Sequence, residues 1–100
     1  MSVMKKIIYG ETNEDGSRSF HIVTRGGVCY GRLYDGEWAY VHYNAHQSGT
    51  DYMTDMPKKT LLDLVRGKMN WATFESHCYY WWQKEQEEMR RFQEADEKEA

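Results

Sequence analysis

The stretch from Trp71 to Phe92 constrains this chain most, because its apolar residues recur at helical spacing along its whole length. On a helical wheel Trp71, Phe74, Cys78, Trp81, Trp82, Glu85, Met89 and Phe92 fall within about 100° of one another, the stripe of a helix that lies on a core. Within it sits an aromatic knot, Tyr79-Tyr80-Trp81-Trp82, in which Tyr80 points away from the stripe. A helix from Trp71 to Asp96 would be roughly 39 Å long, whereas strands of about seven residues reach only about 23 Å. The helix is therefore expected to overhang its own sheet. Met89 and Phe92 then lie where a domain this small has little to cover them, and the natural cover is a second copy of the chain or another protein.

The first 43 residues read as a four-stranded antiparallel meander, since short β-branched and aromatic runs alternate with turn signals at close spacing. The runs are Lys5–Gly10, Ser19–Thr24, Val28–Tyr34 and Glu37–Tyr43. Two-residue turns at Gly26-Gly27 and Asp35-Gly36 would pair Ile22 with Gly31, Phe20 with Leu33, Leu33 with Trp38, Gly31 with Tyr40 and Cys29 with His42. The helix-facing surface is then Phe20, Ile22, Thr24, Cys29, Gly31, Leu33, Trp38, Tyr40 and His42, with a large ring covering the gap at Gly31. The opposite face would carry Ser19, His21, Val23, Arg25, Val28, Tyr30, Arg32, Tyr34, Glu37, Ala39, Val41 and Tyr43. Trp38 and Trp81 are expected in the core, and Tyr34 and Tyr80 outside it.

Residues 44–59 read as an irregular connection broken by Asn44, Ser48-Gly49 and Pro57. Thr60 has capping-box spacing for a short helix over about Leu61–Arg66 that stops at Gly67, and Asn70 is placed to cap the long helix. The architecture implied is α+β: a meander with one face covered by a long C-terminal helix, in a single domain over residues 1–100.

Charge is unevenly divided. Residues 1–70 hold nine Lys/Arg against eight Asp/Glu, and residues 71–100 hold four against eight. That argues against broad binding to a phosphate backbone and is compatible with a basic partner, although pairs such as Glu87/Arg91 also suit a solvated helix. No apolar window is long enough to span a membrane and the start of the chain lacks the pattern of a secretory signal, so a soluble, cytoplasmic protein is expected. Cys29 and Cys78 should then be reduced thiols.

Chemistry-bearing sets are few. Cys29, His42 and Cys78, with His46 as a fourth member, could converge on a zinc ion, but they lack paired ligand spacing and read better as core thiols. A Cys29/His42 nucleophile pair has no orienting third group. His42, His46, Asp51 and Asp55 have the residue types of a divalent-cation site without a motif to gather them. Arg25-Gly26-Gly27 leads into a strand and not a helix, so it is a turn and not a phosphate cradle.

These readings favour a small non-enzymatic protein, without cofactor or metal, that binds a protein partner or forms a homodimer. Tyr79, Tyr80, Trp82, Met89 and Phe92 on the helix and Tyr30, Arg32 and Tyr34 on the outer sheet face are the expected contacts. Size and composition suit the inhibitor proteins of phages and mobile elements, which block a larger host defence complex by surface contact. The alternative is a nucleic-acid or nucleotide-binding module that stacks bases on the tyrosine-arginine face.

Overall fold

The computed structural model describes residues 4–24, 26–45 and 49–99, with side chains through residue 94. Five strands, β1 (Ile7–Thr12), β2 (Arg18–Ile22), β3 (Gly27–Leu33), β4 (Trp38–Ala45) and β5 (Thr50–Pro57), are followed by helices α1 (Lys58–Val65) and α2 (Trp71–Glu99). The strands form one antiparallel sheet in the order β1-β2-β3-β4-β5. The class is α+β, as expected, with one more strand than the sequence suggested. The segment expected to be irregular contains β5, which pairs along β4 from Ala45↔Thr50 to Trp38↔Pro57. Asp51, Asp55 and Pro57 hide this strand because such residues are depleted in sheets. An edge strand tolerates them, the acids facing outward and the proline closing the strand.

Register decides the faces. The loop after β3 spans three residues, Asp35 to Glu37, because Leu33 pairs with Ala39 and the Tyr34 N–H donates to the Trp38 carbonyl. Gly36, at φ 111°, supplies the left-handed turn. One residue more than expected in this loop flips all of β4. Ala39, Val41 and Tyr43 point into the core, while Trp38, Tyr40 and His42 do not; Trp38 is 47% exposed. Cys29 accordingly faces Tyr43, and His42 lies on the other side of the sheet. Between β2 and β3 the pairing differs by two residues, Phe20 with Gly31 and Ile22 with Cys29, an even shift that leaves both faces as expected. Gly31 is covered by the Phe20 ring: a Cβ there would stand 3.2 Å from Phe20 Cε1 and would collide with the Tyr40 carbonyl.

The core lies between this inner face and the two helices. Phe20, Ile22, Cys29, Val41, Tyr43 and Met56 from the sheet are buried together with Leu61 and Leu64 of α1 and Phe74 and Cys78 of α2. α1 begins at Lys58 with Pro57 at its N-cap, so Thr60 is already inside the helix and makes no capping bond. Its far end is closed as expected at Gly67, where the Gly67 and Lys68 N–H groups donate to the Leu64 and Asp63 carbonyls. Asn70 caps α2, its side-chain oxygen accepting from the Thr73 N–H at 2.8 Å. No helix among the described residues is long and apolar enough to cross a membrane.

Candidate functional site

α2 has 29 residues, about 43 Å at 1.5 Å per residue, against about 27 Å for the longest strands. Its first half is fastened to the sheet by rings. Trp71 stacks on Tyr43, Tyr79 and Trp82 meet Tyr52 edge-on, and Trp81 meets Trp38 with centroids 5.5 Å apart at 89°. Farther along, Glu85 accepts the hydroxyl of buried Thr54 at 3.4 Å. From residue 87 to residue 94 every side chain is exposed. Met89, at 53%, and Phe92, at 75%, continue the apolar stripe with nothing among the described residues to bury them.

Where the helix leaves the sheet, a groove of about 550 Å³ opens between the end of the β3–β4 hairpin, β5 and α2. Trp38, Trp81 and Tyr34 supply its rings, and Asp55, Glu85 and Glu88 its carboxylates. Trp81, Glu85 and Glu88 share one face of α2, being four and seven residues apart, and the same spacing carried on reaches Phe92. Lys84 completes the lining. Its ammonium lies 5.2 Å from the Tyr80 ring and 5.9 Å from that of Trp81, and its pKa is raised chiefly by the hydrogen bond with Tyr80. Desolvation raises the Asp55 carboxyl above its ordinary value although the residue as a whole is exposed, and it has no ion pair among the described residues.

The outer sheet face carries a second constellation. Ile8, His21, Tyr30, His42 and Met53 are successive cross-strand partners, so one row of rings and apolar groups crosses all five strands. Within it the Tyr30 hydroxyl is 2.9 Å from His42 Nδ1, and Asp51 Oδ1 is 2.5 Å from His42 Nε2. The imidazole Nε2–H donates to Asp51, and the tyrosine hydroxyl either donates to Nδ1 or accepts from it, so the array is satisfied with the ring neutral or charged. It ties β3, β4 and β5 together across their outer faces. Arg32, beside it, pairs with Asp15 at 3.9 Å.

Of the expected contacts, Tyr79, Tyr80, Met89, Phe92, Tyr30 and Arg32 are exposed, while Tyr34 and Trp82 are half-buried. Trp82 is partly consumed by Tyr52 and Tyr79. Cys29 and Cys78 are buried free thiols on the inner face and His42 is on the outer one, so the three do not converge. No group of three or more metal-capable side chains gathers among the described residues; His46 lies outside them. Sequence reasoning missed the groove and the Tyr30–His42–Asp51 array because both depend on the flipped β4 and on β5. No family model matches this sequence, and neither a curated protein nor a solved structure matches it.

Proposed function

We propose that this chain is a small non-enzymatic binding protein that recognises a protein partner through the overhanging face of α2 and the groove at its base. The observation that carries this reading is the exposure of Met89 and Phe92 on a stripe that has already run past the sheet. Leaving two large side chains uncovered on an otherwise solvated helix forgoes about 1.5–3 kcal/mol of burial for each, which a partner would recover. The row from Ile8 to Met53 offers a second contact surface. In biological setting the reading suits an inhibitor that blocks a larger complex by surface contact, as small phage and mobile-element proteins do, by analogy of size and composition.

Nucleic-acid binding fits less well. On the outer face Arg32 is tied to Asp15, and Asp51 and Asp55 stand among the rings, so the positive potential that draws phosphates is weak there. The test is the double substitution Met89→Glu/Phe92→Glu, with thermal melts to show that the fold is retained. Light scattering over a range of concentrations reports a second copy, and affinity capture from the native host reports another protein. Unchanged assembly together with unchanged capture would remove the proposal.

A further inference from the structure

We infer that the groove beneath Trp81 is a receptor for an arginine side chain presented by the protein partner. The inference rests on the protein-binding reading and specifies the chemistry of one contact. Three rings and three carboxylates line one groove, and Lys84 is the only positive charge among the described residues that line it, so a cation is favoured there. Aromatic faces attract cations through their quadrupole, and Trp81 already holds one, the Lys84 ammonium 5.9 Å from its centroid. Asp55 is a partly desolvated carboxylate with no cation of its own among the described residues, which an incoming positive charge would relieve.

Guanidinium suits the site better than ammonium. Trp38 and Trp81 are set edge-to-face, so each presents a surface in a different plane, and a flat cation can stack on one while its N–H fork reaches Asp55 or Glu88. Lys84 already occupies the point-charge position on the helix side. Glu88 also stands one helical turn before Phe92, so a peptide whose apolar residue covers Phe92 can place an arginine in the groove.

The probe is N-acetyl-arginine methylamide, compared with its uncharged citrulline counterpart, with the indole N–H resonances of the four tryptophans followed by NMR. The Trp38 and Trp81 signals should shift in a saturable way with arginine and not with citrulline, while Trp71, stacked on Tyr43 at the far end of the helix contact, stays still. Asp55→Asn and Glu88→Gln, both at exposed positions, should each weaken binding roughly two- to fivefold, and Lys84→Gln should strengthen it by a similar factor. Equal response to citrulline, equal movement of all four indoles, or indifference to the carboxylate substitutions overturns the inference. If Met89→Glu/Phe92→Glu abolishes partner capture while arginine leaves the indoles unmoved, the groove assignment fails and the binding reading stands. The reverse pattern separates them the other way.

Discussion

Tyr43 lies flat against Trp71, ring centroids 5.5 Å apart and planes 6° from parallel, which joins β4 to the first turn of α2. Phe74 closes on both rings edge-to-face. Tyr43 is 6% exposed, and burial pushes its hydroxyl up to about 12. Tyr43→Ala and Phe74→Ala should each cost about 3–5 kcal/mol, which is most of the stability of a domain this small. Trp38→Ala, at a half-exposed position, should cost clearly less. Urea unfolding of the three variants ranks them, and a Trp38 effect as large as that of Tyr43 would contradict the register between β3 and β4.

Gly31 leaves no room for a methyl group. Because the obstacle is the Tyr40 carbonyl of the neighbouring strand, which cannot rotate away as a side chain could, Gly31→Ala must part β3 from β4. A loss of about 1–3 kcal/mol or more is expected, read as a lowered thermal midpoint. Gly16→Ala, with open space around it but φ at 87°, separates crowding from backbone strain.

Two carboxylates should respond to acid in opposite senses. Hydrogen bonds from the Ser17 hydroxyl and N–H, helped by Arg32, hold the Asp15 carboxyl below its ordinary value. Its stabilising effect is therefore complete above the unfolded-state value and is lost as pH falls through the folded one. Asp15→Asn should be less stable than wild type at neutral pH and converge with it in acid. Asp55, raised by desolvation, binds its proton more tightly when folded, so its penalty appears as pH rises through the unfolded and then the folded value. Asp55→Asn should match or exceed wild type at neutral pH and lose any advantage in acid. Denaturant melts at a series of pH values check both signs.

The thiols should be silent until the protein opens. Cys29 and Cys78 are fully buried, and burial pushes Cys29 up to about 12 and Cys78 upward as well, so neither offers a thiolate near neutrality. Alkylation of native protein should proceed at the rate of unfolding, and both sites should react together in urea. Rapid labelling of one thiol under native conditions would mean local opening of the α2–sheet seam.

The long helix, its Asn70 cap, the stop at Gly67 and the faces of β2 and β3 were legible because each depends on local residue type or on periodicity. What was not legible depends on a single residue of loop length. Asp35-Gly36 has the composition of a two-residue hairpin, but Glu37 belongs to the turn too, and that one position sends Trp38, Tyr40 and His42 to the other side. β5 was hidden by its own suitability for an edge, since the acids and proline that discourage aggregation also look like a loop. The groove and the Tyr30–His42–Asp51 array are products of these two features, so neither could be assembled from spacing alone.

The meander has a kinetic corollary. Every strand pairs with its neighbour in sequence, so each hairpin closes a short loop and no pairing waits on a distant segment. The sheet can zip from any turn outward. The long-distance event is the return of α2 onto β4 and β5, where Trp71 must find Tyr43 and Trp81 must find Trp38. Until that docking is complete, the Tyr43 and Phe20 face stays wet, and a nascent chain in that condition exposes an apolar sheet to its neighbours. The aromatic clasp along the first half of α2 thus closes the inner face of the sheet, while residues 87–94 of the same helix, all exposed, lie clear of that clasp.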